Sequence, residues 1–300
     1  MGSAVNLKNV CKQFVQKQSG KLFRPSRKII RALDNVSFAI DRGEFIAYAG
    51  PNGAGKSTTI KLLAGMLRQN SGEIEVLGMS PLRHRIPLMR EVGVLLGNRT
   101  ELWWDHPVSS SYRWKRAVWD IPKKVYEEME DLVLDLLDIR PFYNTFAREL
   151  SLGQRMRADL GMMLLHRPSL ILLDEPTLGL DVLAKRGMIN FLRQYNETKS
   201  ATIIVTSHDI DDLEEMARRI LLISSGKIAF DGDFSELRDT LALKKKAIIS
   251  TKDGQRHEID HSDLGAWLRE IHDINDVVDI AFSQTPLEEG IATLYQSWRE

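Results

Sequence analysis

Nine consecutive residues limit what this chain can fold into more than any other feature. Gly50-Pro51-Asn52-Gly53-Ala54-Gly55-Lys56-Ser57-Thr58 fits the pattern G-x-x-x-x-G-K-[ST] throughout. A short, mostly apolar run from Glu44 to Ala49 precedes it, and apolar residues at helical spacing follow from Thr59 to Leu67. Strand, glycine-rich loop and helix in that order make a cradle for phosphate. The glycines let backbone N–H groups turn inward, and a helix beginning near Lys56 adds the positive end of its dipole. Lys56 is expected to reach the β- and γ-phosphates of a nucleotide, and the Ser57 hydroxyl to coordinate Mg²⁺.

The rest of the chain supplies a sheet for such a loop to sit on. Strands are expected at 36–40, 44–49, 72–78, 92–96, 170–173, 201–206 and 220–224. Helices are expected at 182–197 and 211–219, with a helical stretch between Trp103 and Leu164. Within that stretch 126–137 follows Pro122, and a second helix begins after Leu150. Strands alternating with helices imply a largely parallel sheet covered on both faces. Beyond Leu237 the character shifts to a short α+β piece, dividing the chain into 1–237 and an extension, 238–300.

Charge narrows the partners. Lys+Arg and Asp+Glu both total 41, so bulk electrostatics give no reason to expect nucleic acid. Cys11 is the one cysteine and cannot form an internal disulfide, which fits a reducing compartment. The longest apolar candidate, Leu160 to Leu173, is cut by His166-Arg167-Pro168, so a membrane role must come through a partner.

A second chemical signal is the strand Leu170-Ile171-Leu172-Leu173 ending in Asp174-Glu175. A buried strand delivers its last residues to the edge where α/β folds bind ligands. Asp174 can hold Mg²⁺ through water, and Glu175 can polarise an attacking water. Upstream, Leu150-Ser151-Leu152-Gly153-Gln154 resembles the Leu-Ser-Gly-Gly-Gln signature of ABC ATPases. Asp174-Glu175-Pro176-Thr177-Leu178-Gly179-Leu180-Asp181 resembles their Walker B and D-loop, and His208 their switch histidine. The four motifs stand in the family's order and spacing across roughly residues 4–235.

The resemblance implies a P-loop NTPase fold of the RecA-like kind, α/β with a mostly parallel sheet. It also implies an N-terminal antiparallel β part, an inserted α-helical subdomain at about 98–164, and the small C-terminal α+β extension. ATP and Mg²⁺ are the implied cofactors. Residues 50–58 would bind ATP, with Ser57, Asp174 and Asn98 toward the metal. Glu175 would be the general base, His208 a γ-phosphate sensor, and Asp181 a link between two sites. Two copies would pair head to tail, so that Ser151, Gly153 and Gln154 of one face the ATP held by the other. A helix N-terminus at Ser151 suits a γ-phosphate on physical grounds.

Two departures from the family pattern matter. Leu152 replaces the first glycine of the signature pair, which is tolerable if it lies in the first turn of a helix with φ below zero. Asn98 stands where the family has glutamine, keeping the amide but one methylene shorter. Phe14 occupies the place of the family's adenine-stacking aromatic, with a core phenylalanine as the alternative. The basic stretch Lys21 to Lys28 reads as a solvated loop, or as a contact with lipid headgroups or a partner.

Adjacent Trp103 and Trp104 fit two readings. They line the groove that receives a membrane subunit's coupling helix, or they pack within the helical subdomain. With Leu152-Gly153-Gln154-Arg155-Met156-Arg157 and the tail Pro286-Leu287-Glu288-Glu289, they resemble the ABC-2 branch of drug and polysaccharide exporters. The implied protein is peripheral, at the cytoplasmic face of the cell's inner membrane, bound to a polytopic transmembrane permease. The alternative is a soluble ABC ATPase regulating a non-transport complex. A double-cassette translation factor is excluded by the single phosphate loop, and a chromosome-type ATPase by the short middle section.

Overall fold

The computed structural model describes residues 2–18, 26–97, 100–207, 209–241, 245–270, 276–284 and 286–297. Asn98 and His208 therefore lie outside the described residues, as does most of the basic stretch 21–28. The chain separates into two compact units, Met1–Asp231 and Gly232–Glu300.

The first unit opens with a long antiparallel pair, β1 (Ser3–Gln18) and β2 (Ser26–Asp41). Residues 26–35, not expected to be strand, are part of β2: the register runs on through Phe14↔Ile30 and Gln18↔Ser26. The short strand β3 (Phe45–Ala49) is buried at every residue and leads into α1 (Lys56–Leu63). Then come β4 (Ser71–Val76), the short α2 (Arg85–Met89) and β5 (Val92–Leu96). Strand β4 joins the far side of β1, giving a three-stranded sheet ordered β2-β1-β4.

Three helices follow: α3 (Val108–Val118), α4 (Lys123–Leu136) and α5 (Leu152–Leu164). The remaining elements are β6 (Leu170–Asp174), α6 (Val182–Lys199), β7 (Thr202–Ser207), α7 (Ile210–Met216), β8 (Arg219–Ser224) and β9 (Lys227–Asp233). Helix α7 stops at Met216, three residues short of the expectation. Ala217 is extended, and Arg219 begins a strand. The Arg219 guanidinium holds both Asp231 carboxylate oxygens at 2.7 and 2.9 Å and donates to Glu44 and the Ala39 carbonyl. Such a fork fixes a strand start more strongly than helix propensity extends α7.

The main sheet is ordered β5-β6-β7-β3-β8-β9, with the first five strands parallel. Its register aligns Leu96, Asp174, Thr206, Tyr48 and Leu221 in one row. Strand ends that carry chemistry thus share a single edge, where open parallel sheets bind ligands. Below that edge Ile46, Leu172 and Ile204 join a core shared with Leu7, Val36, Ile60 and Leu63.

The second unit contains α8 (Phe234–Thr240), β10 (Lys245–Thr251), β11 (Arg256–Asp260), α9 (Leu264–Glu270), β12 (Val277–Gln284) and α10 (Leu287–Ser297). Its strands form an antiparallel sheet ordered β11-β10-β12, with Ala247, Ile249, Leu287 and Ile291 buried.

His166 shows how the helical part is fastened. Its ring lies 4.6 Å from that of Trp119, and its Nε2 is 3.2 Å from the Val92 carbonyl oxygen on β5. Burial holds the imidazole down to about 4, with Lys115 adding to the effect. A free imidazole titrates near ~6.5, so between about 4 and 6.5 the unfolded chain binds a proton that the fold refuses. Stability from this group is therefore present at neutral pH and lost as pH falls through that window. His166→Asn is predicted to flatten the acid limb of the denaturation midpoint against pH, relative to the parent. An unchanged limb contradicts the assignment.

Candidate active site

The phosphate loop is built by exclusion. A Cβ at Gly50 would lie 2.3 Å from the carbonyl oxygen of Ile223, on the neighbouring strand β8. One at Gly55 would lie 2.6 Å from the Ala32 carbonyl, and Gly55 also has φ +120, closed to other residues. Only glycine lets the loop pass this close to the sheet. The turn is held by Ala54 N–H on the Pro51 carbonyl and by Thr59, whose hydroxyl bonds both Gly55 O and the buried Tyr48 hydroxyl.

Lys56 leads α1 and curls back over the loop, with Nζ 2.5 Å from the Gly50 carbonyl oxygen and 3.5 Å from that of Pro51. It is 6% exposed. Burial lowers its pKa, opposed by the nearby carboxylates of Glu175 and Asp174. Its ammonium lies 4.0 Å from Glu175 Oε1. The lysine, the two acids and the loop are thus one cluster.

Asp174 is the buried last residue of β6, and Glu175 follows with φ +56, a conformation unusual for glutamate. Thr206, on the adjacent strand β7 and wholly buried, holds both. Its Oγ1 donates to Asp174 Oδ1 at 2.8 Å and accepts the Glu175 N–H at 3.1 Å; its carbonyl also accepts that N–H. Thr206 belongs to none of the motifs legible in the sequence. The available signal was a hydroxyl ending the apolar run Ile203-Ile204-Val205 one residue before the strand's end.

The loop after β5 joins the same edge through Gly97, whose N–H donates to the Asp174 carbonyl at 2.9 Å. Beyond β7, Asp209 flanks His208. Lys185 on α6 binds Asp209 and Asp212, each at 2.6 Å, and the Thr177 hydroxyl donates to Asp212. Asp181 caps α6, accepting from the Ala184 N–H at 2.9 Å. Thr177, Lys185, Asp209 and Asp212 are therefore joined in one network.

A second cluster forms at α5. Ser151 is its N-cap. The Ser151 hydroxyl accepts from the Gln154 N–H and the Gln154 carboxamide oxygen from the Ser151 N–H, a complete capping box. Leu152 lies in the first helical turn, outside the positive-φ residues, so a side chain is tolerated there. It packs on the 174–181 loop: a Cβ at Gly179 would fall 2.8 Å from Leu152 Cδ2. Gly153 faces Leu180 and Ala184. Ser151 remains exposed at the tip of the helix.

Phe14 is 38% exposed on β1, with the Lys12 ammonium 4.9 Å from its ring centre. Among the described residues no group of three or more His, Cys, Asp or Glu gathers to hold a metal. One hydroxyl, Ser57, and one carboxylate, Asp174, suit a cation that takes its other ligands from phosphate and water, the habit of Mg²⁺.

This edge, with its glycine cradle, lysine and paired acids, defines a phosphate-loop nucleotide-binding domain of the ATPase type. The family model for ABC transporters matches residues 33–178. The Chlorella vulgaris protein named "Probable sulfate/thiosulfate import ATP-binding protein CysA" is 31% identical over 209 residues, covering 70% of this chain and 88% of its own. The "Uncharacterized ABC transporter ATP-binding protein YhcH" of Bacillus subtilis (strain 168) is 32% identical over 196 residues, or 65% of this chain. The match spans 63% of that relative's length. An ATP-binding cassette solved as a dimer with ADP and Pi shares the fold, at a TM-score of 0.65 and 24% identity, over 76% of this chain and 98% of its own. The chain belongs to the ATP-binding proteins of ABC transporters.

Thr206→Val keeps the shape of the strand and removes the hydroxyl that holds both acids. It is predicted to lower the rate of ATP hydrolysis about tenfold while leaving the folded fraction near that of the parent. Parental turnover in steady-state assays shows that the acids do not need this support.

Proposed function

We propose that this chain hydrolyses Mg-ATP between two copies arranged head to tail and thereby drives export through a separate polytopic membrane subunit. The observation that carries the reading is the division of the chemistry into two clusters. Lys56, Asp174 and Glu175 meet at the sheet edge, whereas Ser151 presents an exposed helix N-terminus with its cap complete. A phosphate held by the first cluster would be enclosed by the second cluster of another copy.

The residues divide the work. Backbone N–H groups of 53–58 and the Lys56 ammonium bind and orient the phosphates. Mg²⁺, when bound at Ser57 and Asp174, neutralises charge on the β- and γ-phosphate oxygens. Glu175 accepts the proton of the attacking water, its carboxylate aimed by the Thr206 bond to its own backbone. His208 and Asn98 would contact the γ-phosphate and the metal, as their family positions imply. Phe14 would stack on adenine, and Asp181 would connect the two sites. Ser151 O–H and Gly153 N–H close the site from the partner copy, so water is excluded only in the dimer.

Among the described residues no helix is long and apolar enough to cross a membrane. The exposed surface of Trp103 and Trp104, at 39% and 49%, gives a membrane subunit somewhere to dock at the cytoplasmic face. The export direction rests on the ABC-2 likeness of the Leu152 to Arg157 stretch and the adjacent tryptophans, set against an importer's name on one relative. A polytopic membrane protein is expected to co-purify with the chain.

Glu175→Gln is predicted to cut turnover by about two orders of magnitude or more, the usual range for losing a general base, and to trap an ATP-dependent dimer. Sedimentation with and without ATP reads the second effect. Parental turnover in that variant removes Glu175 from the chemistry.

A further inference from the structure

Asp159 is a buried acid that the proposed hydrolysis does not use. It lies mid-way along α5, is 6% exposed, and accepts two hydrogen bonds at Oδ1, from the Thr100 hydroxyl and the Glu101 N–H, both at 3.0 Å. Burial pushes its carboxyl up to about 6, against the pull of those two bonds. Its two hydrogen bonds hold Thr100 and Glu101 against the helix.

Those partners belong to the loop that leaves β5. The loop starts at Gly97, bonded to the Asp174 carbonyl beside Glu175. It reaches α5 at Thr100 and Glu101 and continues to Trp104. One helical turn before Asp159, at i−4, the Arg155 guanidinium covers the Trp104 ring at 4.6 Å. Residues 155 and 159 share a helix face, so one stripe of α5 grips residues 100–104 at both ends. The far side of the loop is pinned to α3: Glu101 by Lys115 at 3.1 Å, and the Trp103 N–H by the Ser111 hydroxyl. The Tyr112 hydroxyl, also on α3, donates to the Ala158 carbonyl of α5. Ser151 caps the N-terminal end of α5.

We infer that Asp159 is a positioning residue that fixes Thr100 and Glu101 against α5, and that ATP hydrolysis depends on residues 100–104 being held there. This extends the proposed hydrolysis and depends on it for its kinetic effect, though not for the contact itself.

Asp159→Ala and Asp159→Asn separate the tie from simple structural damage, because the asparagine oxygen can still accept both bonds. Amide exchange of the purified chain at Glu101 is expected to rise about tenfold in the alanine variant and to stay near parental in the asparagine one. The kcat for ATP is expected to fall about tenfold in Asp159→Ala with KM within about twofold, and to recover to about half in Asp159→Asn. Unchanged exchange at Glu101 in the alanine variant overturns the tie, as does an asparagine variant impaired as deeply as alanine. Faster exchange with parental kcat overturns the dependence of hydrolysis on the tie. Parental turnover in Glu175→Gln, by contrast, sinks the hydrolytic reading and leaves the exchange result to judge the tie alone.

Discussion

The close passage of the β3–α1 turn over the neighbouring backbone is the constraint on which the nucleotide end of this molecule depends. Gly50 and Gly55 bring the loop within reach of the Ile223 and Ala32 carbonyls, where a Cβ would sit at 2.3 and 2.6 Å. That closeness seats α1 on the sheet and draws Lys56 back over the loop toward Glu175. Adding a methyl group at either glycine would force the loop off the sheet, and the lysine would lose its register with the acids. The tight packing of protein interiors turns a local steric rule into a requirement of the whole site.

The second dependence is one of register. Parallel pairing puts Asp174 beside Thr206, and that adjacency lets one hydroxyl orient the carboxylate of Asp174 and the backbone of Glu175. The left-handed backbone of Glu175 costs of order 1 kcal/mol or more and is held by two hydrogen bonds to Thr206. Nearby, the Lys185 bonds to Asp209 and Asp212 fasten the start of α7 to α6. The site is a set of strand ends held by their neighbours, with the strained residue at its centre.

What could be read in the sequence follows from this physics. The placement of the phosphate loop and of Asp174-Glu175 at one edge was legible because each is a run of consecutive residues at the end of an apolar strand. The mostly parallel sheet was legible from alternating buried runs. Thr206 and Asp159 were not, because each acts across a sequence gap that only the fold closes: Thr206 reaches Asp174, and Asp159 reaches Thr100. The first half of β2 was missed because Ser26 to Arg31 carries three basic residues, and pairing with β1 overrode that composition. The end of α7 was missed because the fork from Arg219 to Asp231 is a tertiary contact.

Leu152 sharpens the picture of two half-sites. It seats on Gly179, so the signature end of α5 and the loop from Asp174 to Asp181 are in contact within one copy. In the proposed head-to-tail pair, the phosphate-binding cluster and the capping cluster of each copy would serve different nucleotides. Mixing two inactive variants tests that claim most directly. Lys56→Ala lacks the lysine but keeps Ser151; Ser151→Phe keeps the lysine but blocks the cap. Each is expected to be inactive alone, and an equimolar mixture is expected to recover ATP hydrolysis, because a mixed dimer holds one intact site with its two halves on different chains. A mixture as inactive as its components would contradict a site shared between copies.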